Sequence, residues 1–138
     1  MIKLIACDMD GTLLDSQKRL PKELPEVVAK LKEKGVIFCV ASGRQYASLR
    51  RDFEDYADDV LFLCENGALV MQHDERVLID SIDPSFITRI VTATRALSGV
   101  YPVVCRADVA LIEKTASSEF IRNTKMYYPS VEVVDDLT

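Results

Sequence analysis

The sequence predicts an α/β fold, with a Rossmann-like parallel sheet as its core and a smaller unit of helices and strands after it. Two observations predict this class. Apolar runs of about five residues alternate with segments of helical periodicity over the first half of the chain, which is typical of parallel strands joined by helical crossovers. Each run is nearly continuous, as in strands that are buried on both faces of a sheet.

The core elements follow in order from these runs. Three apolar runs are predicted to be strands: residues 2–7, 36–40 and 60–64. Two segments between them are predicted to be helices: residues 21–34 and 45–57. Gly35 is the expected stop of the first helix, because glycine adopts the left-handed conformation that ends many helices. The expected buried face of the second helix consists of Tyr46, Leu49, Phe53 and Tyr56.

The pattern changes after the third strand. Two apolar segments around the polar residues 72–75 predict a hairpin, in which His73 is a solvated turn residue. Asp83 and Pro84 predict a helix start, since they supply an N-cap and a favourable first helical residue, and we place a domain boundary near residue 83. The elements expected after it are a helix with the apolar face Phe86, Ile87, Ile90, Val91 and Leu97, a hairpin turning at Ala107–Asp108, a helix over about 117–126, and a strand over 131–134.

The composition excludes several classes of protein. The chain has 138 residues, enough for one ordinary domain, and 49% of them are hydrophobic, so wholesale disorder is excluded. The net charge of −5 and the lack of a basic run argue against binding to nucleic acid or to an anionic membrane. The four cysteines lie in apolar runs without a CxxC pair, which predicts buried, reduced thiols and a cytoplasmic location.

Two carboxylates, Asp8 and Asp10, directly follow the first apolar run. Ligands of open parallel sheets bind at the carboxyl ends of the strands, where this pair is expected to lie. Two like charges so close together need a cation or a proton between them, and Mg²⁺ is the natural partner of carboxylate oxygens. Gly11 permits a sharp turn after the pair, and the Thr12 hydroxyl is expected to hold this turn by a local hydrogen bond.

Three segments together resemble the haloacid dehalogenase superfamily, and within it the Cof-like phosphatases. Residues 8–12, DMDGT after an apolar strand, resemble motif I of that superfamily, DxDG[TV]. Residues 42–44, SGR, follow the second strand and resemble motif II. Residues 65–68, ENGA, follow the third strand and resemble a segment of the Cof-like group. The resemblance covers residues 1–83 by motif and residues 84–138 by pattern alone.

The resemblance implies a phosphatase that works through an aspartyl-phosphate. Asp8 is then the nucleophile, and Asp10 is the general acid to the leaving oxygen and afterwards the general base for water. It also implies a Mg²⁺ ion bound by the Asp8 carboxylate and by the backbone carbonyl of Asp10. The expected substrates are phosphomonoesters of small metabolites, such as sugar phosphates.

The resemblance further implies phosphate or substrate contacts at several positions. Ser42 is expected to bond a phosphoryl oxygen, and Gly43 to leave a backbone N–H accessible at the start of the next helix. Arg44 is expected to add a charge-assisted hydrogen bond, or else to form a surface ion pair. Asn66 is expected to contact the substrate, or else to form a turn with Gly67. The remaining positions are Met9 and Thr12 of motif I.

The superfamily pattern has two further motifs, a lysine and an acidic loop that supplies another Mg²⁺ ligand. The resemblance places both after a cap domain, whose first half we expect in residues 84–138, so that core and cap are each incomplete. A sheet edge left bare in this way needs a partner, expected to be a second copy or the C-terminal half. We expect the chain alone to be poorly active without one. An alternative takes Asp135-Asp136 as the acidic loop, with Lys114 or Lys125 as the motif lysine.

Two other functions use the same residues. A phosphomutase of the superfamily would share Asp8 and Asp10 but would transfer the phosphoryl group to a sugar hydroxyl. A non-catalytic remnant would bind a phosphate ligand without turnover. Release of phosphate from a monophosphate separates the phosphatase from both alternatives.

Overall fold

The structure is a computed structural model that describes every residue from Met1 to Thr138. The chain divides into two units, Met1–Asp80 and Ser81–Thr138. The first unit contains a five-stranded sheet and the second a three-stranded sheet. The two sheets have no strand in common.

Five strands form the sheet of the first unit: β1 (Leu4–Asp8), β2 (Ile37–Ala41), β3 (Val60–Cys64), β4 (Leu69–Gln72) and β5 (Glu75–Ile79). They lie side by side in this order, with β1, β2 and β3 parallel and β3, β4 and β5 antiparallel. The helices α1 (Leu24–Glu33) and α2 (Tyr46–Asp52) lie in the two crossovers between the parallel strands. The predicted alternation of strands and helices and the parallel pairing are therefore confirmed, and the predicted hairpin extends the same sheet.

The parallel strands end level with one another. Asp8 pairs with Ala41, and Ala41 pairs with Leu63. The loops that follow β1, β2 and β3 consequently leave the same edge of the sheet, where ligands of such sheets bind.

An aromatic cluster packs α2 and the segment after it against the sheet. Phe53 and Phe62 are almost completely buried, and their ring centroids lie 5.7 Å apart in an edge-to-face arrangement. Tyr46 packs on Phe62, and Tyr56 packs on Phe53, each at 5.5 Å between ring centroids. Aromatic pairs in this geometry stabilise beyond their buried area, so the cluster holds α2 against β3.

The second helix is shorter than the sequence predicts. It ends at Asp52, and Glu54–Asp59 forms a 3₁₀ helix that is interrupted at Tyr56, where φ is −143°. The prediction of one helix over residues 45–57 is therefore wrong. The break allows the rings of Phe53 and Tyr56 to pack on each other, and tertiary packing commonly outweighs the propensity of a short helix.

The first strand is an edge strand. It pairs only with β2, so one side of its backbone has no neighbour in the sheet. Leu4 is 45% exposed and Ile5 is 38% exposed. The expectation that the first apolar run is buried on both faces is therefore wrong for this chain. An edge that combines apolar side chains with unpaired backbone groups favours pairing with another strand.

Five elements form the second unit: α3 (Pro84–Arg95), β6 (Val104–Cys105), β7 (Ala110–Glu113), α4 (Ser118–Tyr127) and β8 (Val131–Val134). The Asp83 side chain accepts a hydrogen bond from the N–H of Ser85 at 2.8 Å, which confirms the predicted N-cap. β6 and β7 form the predicted hairpin, closed where the N–H of Arg106 donates to the carbonyl of Val109 at 2.8 Å. The strand β8 lies parallel to β7 on its other side.

The predicted apolar face of α3 is only partly covered. Val91 is 1% exposed, whereas Phe86, Ile90 and Leu97 are more than half exposed. The amphipathic pattern thus marks a wider apolar face than the second unit itself buries. This helix has 12 residues, and no helix of the structure is both long and apolar enough to cross a membrane.

No cysteine forms a disulfide, and the burial of the four thiols differs. Cys39 and Cys64 are buried, and burial raises the pKa of the Cys64 thiol to about 12. Cys7 is partly exposed, and Cys105 is exposed at the end of the two-residue strand β6. The expectation of four buried thiols is therefore wrong for Cys105, because so short a strand leaves its last side chain uncovered.

An ion pair with a buried carboxylate connects the C-terminal segment to the rest of the second unit. Glu113 is 6% exposed and accepts hydrogen bonds from the guanidinium group of Arg95 and from the N–H of Leu137. Arg95 also donates to Asp136 at 2.6 Å. These bonds, with that from Arg95 as the largest cause, hold the pKa of Glu113 below its ordinary value.

Replacing Glu113 by Gln is expected to lower the free energy of unfolding of the second unit by about 2 kcal/mol. The loss is smaller than for a fully buried pair because Arg95 is 39% exposed. A carboxyl whose pKa is lowered by folding stabilises the fold above its unfolded-state pKa, and this contribution disappears as the pH falls through its native pKa. The wild type is therefore expected to lose stability as the pH falls below 4.5, and Glu113→Gln to lose less.

Urea denaturation at neutral and acid pH, followed through the NMR signals of β7, measures both effects. Glu132→Gln on β8 removes an exposed carboxylate and serves as the matched control. Equal losses of stability in the two variants would contradict a specific role of the ion pair.

Candidate active site

The turn after β1 presents the first two carboxylates. Residues Met9–Leu13 form a single wide turn of the π type, in which Asp10 and Gly11 depart from helical angles and Gly11 has a left-handed φ of 81°. The N–H of Leu14 donates to the carbonyl of Met9 at 2.9 Å and closes the turn. Met9 is completely buried, so the expected contact of this residue with a ligand has no exposed atom in the structure. Asp8 and Asp10 remain exposed on this turn.

These two carboxylates differ in their surroundings. The Asp8 side chain takes part in no hydrogen bond or ion pair, and its backbone carbonyl accepts a hydrogen bond from the thiol of Cys7. The Asp10 carboxylate is bound by two cations. Lys18 Nζ lies 2.7 Å from its Oδ1, and Arg44 Nη2 lies 3.1 Å from Oδ1 and 3.2 Å from Oδ2. The hydrogen bond from Lys18 is the largest cause that holds the pKa of Asp10 below its ordinary value.

The loop after β2 contains Ser42, Gly43 and Arg44. Ser42 is 9% exposed, and its N–H donates to the carbonyl of Leu63 at 2.9 Å. Its hydroxyl oxygen accepts the N–H of Arg44 at 3.2 Å, which leaves the hydroxyl proton free to be donated to a ligand. Because α2 begins only at Tyr46, Gly43 lies in the loop, and the expectation that it stands at the helix start is wrong.

Arg44 connects this loop to two acidic side chains. Its Nη2 holds Asp10, and its Nη1 donates to Asp52 at the end of α2 at 3.2 Å. The side chain is 31% exposed. The ion pair that the sequence left open as an alternative role of Arg44 is thus present. One of its two acidic partners is the motif I carboxylate.

The loop after β3 is held in an unusual conformation. Glu65 and Asn66 both have left-handed φ angles, of 50° and 57°. Non-glycine residues adopt such angles at a cost, so other contacts must maintain them. The N–H of Glu65 donates to the carbonyl of Arg44, and the N–H of Asn66 donates to the carbonyl of Ser42, each at 3.2 Å. Main-chain hydrogen bonds therefore join the second and third loops.

Gly43 permits a close approach between these loops. A Cβ atom at this position would lie only 2.8 Å from Oδ1 of Asn66. The Asn66 side chain thus packs directly over the glycine backbone. This contact is a reason for glycine at position 43 that the sequence alone does not reveal.

Two buried polar atoms near these loops have no hydrogen-bond partner, Nε2 of Gln45 and Oε1 of Glu65. Gln45 is 4% exposed. Burial raises the pKa of Glu65, because the charged carboxylate is poorly solvated there. Such atoms are usually satisfied by water or by a ligand.

The turn after β1 suits a hard divalent cation. It offers the Asp8 carboxylate and the backbone carbonyl of Asp10 as oxygen donors, and no group of three or more His, Cys, Asp or Glu side chains forms a fuller metal site. Mg²⁺ commonly binds to one or two carboxylates together with phosphate oxygens and water. The residues therefore fit a Mg²⁺ ion that is shared with a phosphate group.

The two neighbouring acidic residues near the C-terminus form ion pairs with basic side chains. Asp135 pairs with Lys114 at 2.6 Å, and Asp136 pairs with Arg95 at 2.6 Å. Hydrogen bonds from Thr138, followed by that from Arg95, hold the pKa of Asp136 at about 2. Both carboxylates are thus neutralised within the second unit.

The structure connects most of the candidate residues in one cluster. The members joined by the contacts above are Asp10, Ser42, Gly43, Arg44 and Asn66. Thr12 is exposed, and its hydroxyl makes no hydrogen bond, so the expected local bond is absent. Lys18 and Asp52 were not predicted from the sequence, because a contact between loops leaves no periodic spacing.

The chain belongs to the haloacid dehalogenase-like hydrolases. The model of that family matches residues 5–137. The resemblance drawn from the three sequence motifs is therefore confirmed.

Curated relatives of the chain are phosphatases. It is 32% identical over 136 residues to the Escherichia coli K12 protein YbjI, a 5-amino-6-(5-phospho-D-ribitylamino)uracil phosphatase, which covers 98% of this chain and 50% of YbjI. It is 28% identical over 82 residues to the E. coli pyridoxal phosphate phosphatase YbhA, which covers 59% of this chain and 30% of YbhA. The chain thus spans half or less of the length of these relatives.

Solved structures share the fold. SMU.1108c from Streptococcus mutans UA159 superimposes with a TM-score of 0.84 at 25% identity, over 99% of this chain and 52% of that protein. A haloacid dehalogenase-like hydrolase from B. subtilis gives a TM-score of 0.76 at 18% identity, over 98% and 55%. The predicted α/β fold class is therefore confirmed.

Replacing Gly43 by Ala is expected to disturb the contact between the second and third loops. The new Cβ would approach Asn66 Oδ1 to 2.8 Å, so we expect the free energy of unfolding to fall by about 1–2 kcal/mol. Urea denaturation measures this loss.

The control is the same Gly43→Ala substitution in protein that already carries Asn66→Gly. The left-handed backbone of residue 66 suits glycine, and the truncation removes the clashing atom. The substitution Gly43→Ala is expected to cost little in that background. If the costs of the two substitutions simply add, the contact does not explain the glycine.

Proposed function

We propose that the first unit carries the site of a Mg²⁺-dependent phosphatase that hydrolyses phosphomonoesters of small metabolites through an aspartyl-phosphate. The observation that carries the proposal is the pair of unlike carboxylates on one turn: Asp8 is open, and Asp10 is held by two cations. Such a pair supplies a nucleophile and a separate group for proton transfer. Membership of the haloacid dehalogenase-like hydrolases supports the same chemistry.

Asp8 is suited to nucleophilic attack because no hydrogen bond within the chain competes for its oxygens. In the proposed reaction an oxygen of Asp8 attacks phosphorus, the P–O bond of the ester breaks, and the phosphoryl group stays on Asp8 until water attacks it. Bound Mg²⁺ would neutralise negative charge on the phosphoryl oxygens. The Asp8 carboxylate and the Asp10 carbonyl are the groups that would hold this ion.

Asp10 is proposed to move the proton in both steps. It gives a proton to the leaving oxygen and then takes one from the attacking water. In the free protein, Lys18 and Arg44 favour its ionised form. When Arg44 turns to a phosphate, one cation leaves Asp10, and its pKa rises towards the ordinary value, which favours proton donation.

The second and third loops are proposed to bind the phosphate and the substrate. The Ser42 hydroxyl and the N–H of Gly43 are the neutral donors proposed for the second loop, and Arg44 adds a charged one. Asn66 contributes its side-chain amide from the third loop. Motif I adds the exposed Thr12.

The proposed substrates follow from the relatives. The names of YbjI and YbhA specify phosphate monoesters of small metabolites, one on a ribityl chain and one on pyridoxal. We propose the same class for the whole protein, in a cytoplasmic setting that suits free thiols. We further propose that residues 84–138 are the first part of a cap that sets specificity, after a core over residues 1–83.

Hydrolysis of p-nitrophenyl phosphate, with Mg²⁺ and with a chelator, tests the proposed reaction. Asp8→Asn is expected to abolish turnover, because the amide cannot form the phosphoryl ester. Asp10→Asn is expected to lower kcat by about 10²–10⁴-fold through loss of proton transfer. Asp80→Asn, which alters an exposed carboxylate outside the cluster, is the control and should leave turnover unchanged.

Turnover that survives Asp8→Asn or the chelator would contradict the proposal. Transfer of the phosphoryl group to an added sugar, without phosphate release, would identify a phosphomutase. Phosphate binding without turnover would identify a binding remnant.

We also propose that β1 pairs with a further strand. The other edge strand, β5, also exposes apolar side chains (Val77, Leu78 and Ile79), but it begins with the charged residues Glu75 and Arg76, which discourage pairing. The chain spans half the length of YbjI, so one proposed partner is the polypeptide that corresponds to the other half. The other proposed partner is a second copy of the chain.

Sedimentation velocity over a range of concentrations tests the partner proposal on the isolated chain. The chain is expected to self-associate, and Ile5→Lys is expected to weaken this association by about tenfold or more, because it places a charge at the exposed edge. Val77→Lys makes the same change on β5. Equal weakening by both substitutions, or by neither, would contradict the preference for β1.

A further inference from the structure

The loop that follows the Met9–Leu13 turn is closed on itself by one carboxylate. Asp15 Oδ1 accepts the N–H groups of Gln17 and Arg19, at 2.8 and 2.9 Å, and Oδ2 accepts Nε of Arg19 at 3.0 Å. Two main-chain bonds complete the closure. The N–H of Asp15 donates to the carbonyl of Arg19 at 3.0 Å, and the N–H of Lys18 donates to the carbonyl of Asp15 at 2.9 Å.

This closure holds Lys18 in a left-handed conformation, with φ at 61°. A lysine rarely adopts this conformation, and it persists only where surrounding bonds impose it. The result is that Lys18 Nζ lies 2.7 Å from Oδ1 of Asp10, although the side chain is 65% exposed. Asp10 is the only carboxylate that Lys18 contacts.

Arg44 also binds the Asp10 carboxylate, but it has other partners as well. Its guanidinium group is divided between Asp10 and Asp52, and it is also the group proposed to bind the phosphate. Once Arg44 turns to a substrate, the Lys18 ammonium group is the one remaining cation on Asp10.

We propose that Lys18 is a positioning residue, which keeps the Asp10 carboxyl group in place while Arg44 binds the substrate. The 15–19 loop, closed by Asp15, is the device that places Lys18. This inference rests on the proposed phosphatase function and adds a residue that belongs to none of the three motifs.

Kinetics with p-nitrophenyl phosphate and Mg²⁺ test the inference. Lys18→Met is expected to lower kcat by about tenfold to a hundredfold, the effect of a misplaced catalytic group, with KM within about twofold. Lys18→Arg should restore most of kcat, since it keeps a cation. Asp15→Ala should reproduce the effect of Lys18→Met, although Asp15 does not touch Asp10. Lys22→Met removes an exposed lysine from the next segment and should change neither constant.

A second measurement does not depend on turnover. In protein labelled with ¹⁵N lysine and ¹³C aspartate, a scalar coupling across the hydrogen bond is expected between Lys18 Nζ and the Asp10 carboxyl carbon. It should disappear in Asp10→Asn and weaken in Asp15→Ala.

The outcomes separate the inference from the function on which it rests. Absence of the coupling in the wild type, or a change in KM alone in Lys18→Met, would overturn the role of Lys18 while leaving the phosphatase proposal standing. A wild-type chain that shows the coupling but no turnover would contradict the phosphatase activity of this chain, and with it the catalytic consequence of the contact.

Discussion

The parallel register of the first three strands is the constraint on which the candidate site depends. Asp8, Ala41 and Leu63 lie level across β1, β2 and β3. Loops that are far apart in the chain therefore start from one edge of the sheet. A shift of one residue in either pairing would turn the side chains to the opposite face and separate the loops. The aromatic cluster around Phe53 and Phe62 protects this register, because it packs α2 against the last of the three strands.

Two residues of the same type acquire different properties from their surroundings. The Asp8 carboxylate has no partner, whereas the Asp10 carboxylate contacts an ammonium group and a guanidinium group. Opposite charges stabilise the ionised form of a carboxyl group and also restrict its rotation. The turn thus contains one carboxylate that is open to a cation or a phosphorus atom and one that is fixed. The two aspartates therefore differ because of their surroundings on the turn, although their residue type is the same.

The features that could be predicted are those that depend on local sequence. Continuous apolar runs predicted the strands, and charged or glycine-containing segments predicted where they end. The end of α2 could not be predicted, because it depends on the packing of Phe53 and Tyr56. An apolar run indicates that a strand tends to be buried, but it does not show whether the chain supplies the neighbours that bury it. The exposure of β1 could therefore not be predicted. Lys18 was missed because its contact joins two loops. The roles of Asp8 and Asp10 in catalysis stay predictions.

The hydrogen bonds between the second and third loops run through the main chain. The N–H groups of Glu65 and Asn66 donate to the carbonyls of Arg44 and Ser42, whatever side chains these positions carry. Side-chain replacements that keep the left-handed backbone of residues 65 and 66 therefore retain the donors and acceptors of these bonds. Over evolutionary time such a site can exchange its recognising groups one at a time, without passing through an unfolded intermediate. This tolerance is what a scaffold needs if it is to diverge towards many different substrates.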